Sequence, residues 1–323
     1  MKIAITGANG FVGSNLIRYF QSQGHEVLAL VRSHTASETL NHIVNTVVVD
    51  YLDAASIFTA INGYDVIIHN AGRTKALNYK EMYESNVEPT RIIVTAINGM
   101  ESSIQLVFIS SQAASKPSYG NIPVKESDAP APLTAYGRSK FEAEMLIRKS
   151  CTKPFTIIRP CSVYGYGDKD FLNLFKMVKR GFSFRIGNKD KLLNMIHVDE
   201  LASFISLCIQ NESAYKQLFF ATDGIVYKQS EIMQYIALAL HKKPIELIIP
   251  SFIAKIVFHF GDMWGRMFST PGIVNKDKMR EIMADSWLAD PTKARELLHW
   301  QPKANLKKHI LETAKCYQEL GWL

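Results

Sequence analysis

A tyrosine and a lysine four residues apart form the pair in this sequence best suited to moving a proton. Tyr136 and Lys140 lie in the segment TAYGRSKFEAE, where apolar spacing predicts a helix from Thr134 to Lys149. A spacing of four puts both side chains on one helix face, where a nearby ammonium lowers the pKa of a phenol. Tyrosine needs this help, because its ordinary pKa is about 10. We therefore expect Tyr136 to be a general acid or base assisted by Lys140.

A serine at the end of a strand supplies a third polar group. The run IQLVFIS predicts a strand from Ile104 to Ser110, and Ser111 follows it directly. In parallel sheets, ligands bind at the carboxyl ends of the strands. The Ser111 hydroxyl is therefore expected to hydrogen-bond the reacting oxygen while Tyr136 exchanges the proton.

A glycine-rich turn near the start of the chain indicates a bound dinucleotide. The segment TGANGFVGSNLI carries Gly7, Gly10 and Gly13 between a predicted strand, Lys2 to Thr6, and a predicted helix, Phe11 to Gln23. Glycines here permit a tight turn, close backbone approach to a pyrophosphate, and packing of helix on strand. The free amides and the helix dipole favour an anion at this point. The position at a first strand-to-helix junction makes the motif specific.

The end of the second strand predicts which dinucleotide binds. NAD-binding units carry an acidic residue there to hold the ribose hydroxyls. This strand ends in LVRS, with Glu26 at its start and Glu38 several residues beyond its end. Arg32 suits a 2′-phosphate instead, because a guanidinium grips phosphate with two parallel hydrogen bonds. The sequence therefore predicts NADP, with NAD as the alternative.

The elements that must position these residues follow an alternating pattern. Short β-branched runs alternate with helical spacing, which is typical of parallel βαβ units and predicts an α/β fold with a doubly wound parallel Rossmann sheet. The predicted strands are Lys2 to Thr6, Glu26 to Val31, Thr46 to Val49, Asp65 to His69, Ile104 to Ser110 and Phe155 to Arg159. The predicted helices are Phe11 to Gln23, Ala54 to Ile61, Tyr79 to Asn98 and Thr134 to Lys149.

A second, smaller region is predicted after Pro160. There the pattern changes to YGYGD and a basic helix, Phe171 to Gly181, before a helix, His197 to Gln210, and a strand, Gln217 to Ala221, return to the sheet. We therefore predict a dinucleotide-binding domain of residues 1–165 plus about 192–222. The smaller, mixed C-terminal domain, of about 166–191 plus 223–323, is expected to bind the substrate.

Cysteine spacing and hydropathy predict the cellular compartment of the protein and whether it binds a metal or spans a membrane. Its cysteines, Cys151, Cys161, Cys208 and Cys316, show no paired spacing and no histidine at ligand spacing, so we predict isolated thiols, no metal site and a cytoplasmic protein. The sequence shows no secretion signal. The apolar stretch Leu247 to Phe260 is too short to span a bilayer and predicts a buried or lid helix.

The motifs taken together resemble those of the extended short-chain dehydrogenase/reductase family, which includes nucleotide-sugar epimerases and dehydratases. The resemblance covers almost the whole chain and rests on TGANGFVG, VVVDYLD, DVIIHNAG, ESNVEPT, FISSQAAS, the Tyr136 and Lys140 pair, IRPCSVYGYGD and NMIHVDELA, in the family's order. It implies that Ser111, Tyr136 and Lys140 are catalytic, and that Tyr136 and Lys140 also contact the cofactor. Asn86 is expected to support the structure. The other cofactor residues implied are Gly7, Asn9, Gly10, Phe11, Val12, Gly13, Asp50, Tyr51, Asn70, Ala71, Gly72, Pro160, Cys161 and Val163, beside Arg32.

Departures from the sugar-nucleotide pattern favour a reductase. Ser162 stands where those enzymes usually carry an asparagine, and Leu193 where they usually carry an arginine. Each change removes a hydrogen-bond donor that a diphosphate would use. The chain therefore resembles the dihydroflavonol-reductase and 3β-hydroxysteroid-dehydrogenase branch more closely. Apolar residues of the smaller region are candidates for either a hydrophobic pocket or the core: Leu247, Ile248, Ile249, Phe252, Ile253, Ile256, Val257, Phe260, Trp264 and Met267.

The predicted function is hydride transfer between nicotinamide C4 and a secondary alcohol or ketone of a small molecule. One alternative is a nucleotide-sugar epimerase or dehydratase that uses bound NAD, and another is a catalytically silent cofactor-binding regulator. Family members often pair through the two helices Tyr79 to Asn98 and Thr134 to Lys149, so the resemblance implies a homodimer.

Composition and charge bear on the choice of partner. The 323 residues are 47% hydrophobic, with a formal charge of +7, and the first 150 residues hold equal numbers of acidic and basic side chains. No basic stripe with aromatic partners appears, so we predict no nucleic-acid binding. The positive surplus supports an anionic group on the substrate, and it concentrates around Lys176, Lys179, Arg180, Arg185, Lys189 and Lys191.

Overall fold

Seven parallel strands form the central sheet of the computed structural model, which describes residues 1–40, 42–256, 276–303 and 305–323. The strands of the described residues are β1 (Lys2–Thr6), β2 (Glu26–Val31), β3 (Asn45–Val48), β4 (Val66–His69), β5 (Gln105–Ile109), β6 (Phe155–Pro160), β7 (Ser162–Tyr164), β8 (Phe182–Ile186), β9 (Leu192–Leu193), β10 (Met195–His197), β11 (Gln217–Ala221), β12 (Tyr227–Lys228), β13 (Ile245–Ile249) and β14 (Ser286–Trp287).

The central sheet has the strand order β11-β6-β5-β4-β1-β2-β3. The chain winds outward from β1 through β2 and β3, then returns to β1 on its other side with β4. A crevice opens at the carboxyl ends of strands where the winding reverses in this way, and ligands bind in it. The predicted doubly wound parallel sheet is confirmed.

Helices cover both faces of this sheet. The helices of the described residues are α1 (Phe11–Ser22), α2 (His34–Leu40), α3 (Ala54–Ile61), α4 (Tyr79–Asn98), α5 (Ala135–Ser150), α6 (Lys169–Lys179), α7 (Val198–Cys208), α8 (Gln229–Ala239), α9 (residues 251–256), α10 (Lys276–Met283), α11 (Thr292–Leu298) and α12 (Leu306–Glu319). Those that pack on the sheet are α1, α2, α7 and α11 on one face and α3, α4 and α5 on the other.

Alternation along the strands divides the core into two clusters, one on each face of the sheet. Ile3 and Ile5 of β1 pack on one face with α1 and α7, whereas Ala4 packs on the other with α3, α4 and α5. Ala294 and Trp300, from the C-terminal part of the chain, also lie in the α1 and α7 cluster.

A third hydrophobic cluster lies among α6, α8 and α12, with Phe175, Ile236 and Tyr317 fully buried at its centre. Short sheets accompany it: β7 pairs with β10, β9 with β12 and β14, and β8 with β13. Residues of β7, β8, β9, β10, β13 and β14 line the same cleft as the glycine turn.

Several predicted elements differ from those in the structure. The basic helix begins at Lys169 rather than Phe171, because the Asp168 carboxylate accepts a hydrogen bond from the Asp170 amide, 2.8 Å away, and caps the first turn. The predicted helix within Leu247 to Phe260 is wrong at its start. Ile245–Ile249 is instead a strand paired with β8, and residues 257–260 lie outside the described residues. Among the helices described, none is both long and apolar enough to cross a bilayer.

Candidate active site

The glycine turn joins β1 to α1 in a conformation that larger residues would oppose. Gly7 has a φ of +66°, and a Cβ there would lie 2.8 Å from the Ala71 nitrogen. A Cβ on Gly13 would collide with the Gly7 carbonyl, so Gly13 lets α1 pack closely on the turn. No side chain caps the first turn of α1, and its amides are therefore available to an anion.

A single cleft of about 2480 Å³ runs from this turn across the carboxyl edge of the sheet. It brings together the predicted catalytic residues Ser111, Tyr136 and Lys140 with nearly all of the predicted cofactor residues. Gly13 is the exception, since it packs inside the turn. The predicted cofactor residues that line the cleft are Gly7, Asn9, Gly10, Phe11, Val12, Arg32, Asp50, Tyr51, Asn70, Ala71, Gly72, Pro160, Cys161 and Val163.

The start of α5 positions Tyr136 beside the strand end that carries Ser111. Thr134 caps this helix by accepting a hydrogen bond from the Gly137 amide at 2.9 Å. A Cβ on Gly137 would collide with the Ala113 carbonyl, so glycine allows α5 to approach the turn that follows Ser111. Lys140, one helical turn further on, is 4% exposed, and its Nζ donates to the Ile109 carbonyl at 2.8 Å.

Burial controls the charge states of the tyrosine and the lysine. Desolvation raises the pKa of Tyr136 to about 12, with a contribution from the Glu281 carboxylate and opposition from hydrogen bonding to Ser111. Burial lowers the pKa of Lys140 to about 8, although the Glu144 carboxylate opposes this shift. The expected lowering of the phenol pKa by Lys140 is therefore not found in this geometry. With this raised pKa, Tyr136 is protonated at neutral pH.

Asn86 of α4 ties the segment after Gly72 to α5. Its Oδ1 accepts from the Arg73 amide at 2.7 Å, while its Nδ2 donates to the Arg73 carbonyl at 3.0 Å and to Ser139 Oγ at 2.8 Å. A Cβ on Gly72 would lie 2.8 Å from Asn86 Oδ1, so only glycine leaves room for this arrangement. These contacts give Asn86 the supporting position expected for it.

The buried His69 lies beneath the glycine turn. It was not among the predicted site residues, although it belongs to the motif DVIIHNAG. Thr6 Oγ1 accepts from the amides of Asn70 and Ala71, at 3.1 and 3.0 Å, so its own proton points to His69 Nδ1, 2.8 Å away. His69 Nε2 then donates to Thr90 Oγ1 at 3.0 Å. Burial, aided by the positive charge of Lys140, lowers the pKa of His69 to about 3. The imidazole is thus neutral, and it fixes the segment that lines the cleft.

A second buried network joins α5 to β6 below the site. Arg159 Nε and Nη2 donate to the two carboxylate oxygens of Glu144, at 2.9 and 2.6 Å, and Ser110 Oγ donates to Glu144 Oε1 at 2.5 Å. Arg159 is 2% exposed and Glu144 1% exposed. Ser110 precedes Ser111, and Glu144 follows Lys140 by one helical turn. The network therefore holds Ser111 and Lys140, two of the three predicted catalytic residues, in place.

Two buried histidines give the stability of the fold an acid-sensitive component. Burial lowers the pKa of His197 to about 4, with support from His309, whose ring stacks on it at 4.4 Å. Below about pH 6.5 the unfolded chain protonates His69 and His197, whereas the folded chain does not until about pH 3 to 4. The contribution of these two histidines to the free energy of unfolding should therefore fall as pH decreases through this window, by ~1.4 kcal/mol per histidine for each pH unit. Asp168 and Asp223 contribute with the opposite sign below about pH 6, because burial raises the pKa of each carboxyl to about 6.

Urea unfolding between pH 7.5 and 5 measures this slope. His197→Asn keeps a cap for α7 and should reduce the slope, while His34→Gln, at an exposed position, should leave it unchanged. If the slope in His197→Asn equals that of the unaltered protein, the lowered pKa of His197 does not contribute to the pH dependence of stability.

The adenosine end of the cleft holds Arg32 and Tyr51. Arg32 is exposed at the end of β2 and has no ion-pair partner among the described residues. The Tyr51 hydroxyl donates to the Leu30 carbonyl at 3.0 Å, and burial raises the pKa of this phenol. Tyr51 therefore presents its ring, rather than its hydroxyl, to the cleft.

The basic residues of the smaller region do not form an anion site. Of the six singled out in the sequence, only Lys191 lines the cleft, and its ammonium donates to the carbonyls of Ile282 and Ala284. Arg185 pairs with Glu246. The others are exposed outside the cleft: Lys176, Lys179, Arg180 and Lys189. The charge surplus therefore gives no support to an anionic substrate group.

Most of the apolar candidates in the smaller region lie on the surface. Of those within the described residues, Ile249 lines the cleft. The exposed ones are Leu247, Ile248, Phe252, Ile253 and Ile256. Val257, Phe260, Trp264 and Met267 lie outside the described residues.

The parallel sheet, the open glycine turn and the polar groups at the strand ends define a Rossmann-type dinucleotide-binding protein. The chain belongs to the NAD dependent epimerase/dehydratase family, whose model matches residues 3–218. It is 26% identical to a UDP-glucose 4-epimerase of Vibrio cholerae, over 98% of this chain and 95% of the other. It is also 26% identical to a ceramide reductase of Caulobacter vibrioides, over 99% and 96%.

Among solved structures, a Thermotoga maritima UDP-glucose 4-epimerase with UDP-glucose aligns with a TM-score of 0.79 at 17% identity, covering 99% of each chain. This likeness shows the fold. The predicted membership of the extended short-chain dehydrogenase/reductase family is confirmed, and so is the prediction of an enzyme.

Proposed function

We propose that this enzyme reduces the carbonyl group of a largely apolar small molecule with NADPH as the preferred hydride donor, or oxidises the matching secondary alcohol with NADP+ as the hydride acceptor. The observation that carries the proposal is the placement of Ser111, Tyr136 and Lys140 on the wall of the cleft that begins at the glycine turn. The residues present fit a dinucleotide, because the first turn of α1 is uncapped and Gly7 leaves the backbone open to a pyrophosphate.

Each residue has a distinct part in the proposed reaction. The nicotinamide, when bound, supplies or accepts the hydride at C4. Ser111 Oγ hydrogen-bonds the substrate oxygen, and Tyr136 donates its phenolic proton to that oxygen during reduction. The pKa of about 12 keeps the phenol protonated at neutral pH, which suits the reductive direction. Lys140 serves as the cation at the inner end of the site and contacts the cofactor ribose.

The lining of the cleft favours a ketone over a nucleotide diphosphate. Arg280 lies in the cleft, but it pairs with Asp277 at 3.3 Å, and Lys191 is committed to backbone carbonyls. A diphosphate would need several free donors, and in the smaller region these two cations are already engaged. Large apolar side chains face the same space, among them Phe184, Ile186, Leu193, Met233, Ile249 and Trp287.

A panel of ketones and aldehydes, assayed by loss of NADPH absorbance, tests the proposal. Turnover of an apolar ketone is expected. Tightly retained NAD, together with interconversion of sugar nucleotides and no net NADPH oxidation, would instead establish the epimerase alternative, which the Vibrio cholerae relative supports.

Arg32→Ala is expected to weaken NADPH binding by about 10-fold or more and to leave NADH binding nearly unchanged, because only NADPH carries the 2′-phosphate. Fluorescence titration with both cofactors measures the difference. Arg18→Ala is a control that should leave the affinity for both cofactors unchanged, since this arginine lies outside the cleft and pairs with Asp199 at 3.1 Å. Unchanged NADPH affinity in Arg32→Ala would defeat the proposed preference.

The two-domain division is also proposed, with a dinucleotide-binding domain of residues 1–165 plus about 192–222 and a smaller domain of about 166–191 plus 223–323. The separate cluster among α6, α8 and α12 supports it. The segment around Trp300 packs with the sheet, so it contacts the first domain from within the second. The homodimer and the cytoplasmic location stay predictions.

A further inference from the structure

The small sheet of β8 and β13 has an apolar face that is open to solvent. Residues two apart on a strand share a face, and the register pairs Phe182 with Ile245. Phe182 is 43% exposed and Ile245 is 64% exposed. Polar side chains usually occupy the solvent side of a sheet. We call this surface the β8–β13 face, and its residues are Phe182, Phe184, Ile186, Ile245, Leu247 and Ile249.

This face is continuous with the catalytic cleft. Its inner residues Phe184, Ile186 and Ile249 line the same cleft as Tyr136, whereas its outer pair does not. Helix α9 follows directly, with Ala254 lining the cleft and Phe252 65% exposed. An apolar path therefore leads from the molecular surface to the site of hydride transfer.

Four basic side chains surround the outer end of the face. Lys179 and Arg180 lie just before Gly181 and β8, and Lys242 and Lys243 lie just before Pro244 and β13. The Ile245 amide donates to the Gly181 carbonyl at 2.9 Å, which places the two strand starts side by side. All four side chains are exposed, and none has an ion-pair partner among the described residues. We call these four residues the basic rim.

The acidic group of the same sheet does not neutralise this rim. Glu246 is in register with Ser183, on the opposite side of the sheet from Phe182, and its carboxylate pairs with Arg185 at 3.3 Å. The outer end thus combines exposed apolar side chains with unpaired positive charge. Anionic lipid attracts such charge, and the boundary between headgroups and acyl chains accepts such side chains.

We propose that the β8–β13 face docks on the surface of a bilayer containing anionic phospholipid, with the basic rim against the headgroups. The outer apolar pair enters the boundary of the acyl chains, and the cleft opens toward the membrane. A lipid-borne ketone or alcohol then reaches Tyr136 along the face. This last step rests on the proposed reductase activity, whereas the docking itself does not.

Vesicle binding by the purified full-length protein tests the docking. The protein should sediment with vesicles of phosphatidylcholine and phosphatidylglycerol, but not with phosphatidylcholine alone. Lys242→Glu with Lys243→Glu should weaken binding at least ~10-fold, because each rim cation contributes to the attraction. Phe182→Thr with Ile245→Thr should weaken it similarly. The pair Lys149→Glu with Lys307→Glu, which changes the net charge equally at exposed sites outside the face, should bind like the unaltered protein.

The outcomes separate docking from catalysis. Unchanged circular dichroism shows that the variants fold, and their turnover of a short, water-soluble ketone should match that of the unaltered protein. Absence of vesicle binding, or equal loss in the control pair, overturns the docking even if ketones are reduced. Rim-dependent vesicle binding without turnover of any ketone supports the docking and rejects the proposed function. A dimer that Phe182→Thr with Ile245→Thr converts to monomer assigns the face to a second copy of the chain and also overturns the docking.

Discussion

Tyr136→Phe should lower kcat/KM for ketone reduction by roughly 10²- to 10⁴-fold, the range that a positioned general acid contributes. The phenyl ring fills nearly the same space on α5 but has no proton to give to the substrate oxygen. Because the pKa of Tyr136 is about 12, the lost group is a protonated donor over the whole neutral range. Steady-state NADPH oxidation measures the loss.

The same variant should bind NADPH nearly as well as the unaltered enzyme, which separates loss of chemistry from loss of cofactor. Tyr119→Phe is the matched control, since Tyr119 is 71% exposed and does not line the cleft. It should retain full activity. A Tyr136→Phe enzyme that keeps most of its turnover would remove the tyrosine from the mechanism.

Glu144→Ala should destabilise the protein by about 3 to 5 kcal/mol, the usual cost of removing one partner from a buried ion pair. The change leaves the Arg159 guanidinium buried without its carboxylate and takes away the acceptor of Ser110. Replacing both charges with apolar residues, as in Glu144→Leu with Arg159→Met, should cost less, since no unpaired charge remains. Urea unfolding gives the free energies.

Glu142→Ala is the control for this experiment. Glu142 lies on the same helix and pairs with Arg138 near the surface, where such pairs contribute about 1 kcal/mol or less. If Glu144→Ala and Glu142→Ala lose equal free energy of unfolding, the buried pair contributes no more to stability than the surface pair. Assayed below its melting temperature, Glu144→Ala should also lose turnover, because Ser110 and Lys140 flank the two ends of the network.

The glycine turn and the polar residues at the strand ends could be predicted because each is a local motif whose place follows from the alternation of strands and helices. Ser111 and Tyr136 meet because a parallel sheet brings its carboxyl ends to one edge. The geometry places all three predicted catalytic residues in one cleft, although their roles stay predictions.

The supporting networks could not be predicted, because they join positions far apart in the chain. Thr6 and His69 meet only through the register of β1 against β4, which no local pattern specifies. The run Ile245–Ile249 was ambiguous for another reason, since a short apolar run does not distinguish a strand from a buried helix. The prediction that the basic residues of the smaller region bind an anionic substrate group was not supported. Sequence spacing does not reveal that the Lys191 ammonium donates to backbone carbonyls.

The division between one large sheet and several very short ones has an evolutionary consequence. The proposed chemistry sits at the carboxyl edge of seven paired strands, while another part of the cleft lining depends on strands as short as Leu192–Leu193 and Ser286–Trp287. Mutations in that wall disturb few hydrogen-bonded pairs, so they can accumulate without unfolding the catalytic half. New substrates can therefore be acquired by drift in β9 and β14 while the proposed machinery for proton and hydride transfer is inherited intact.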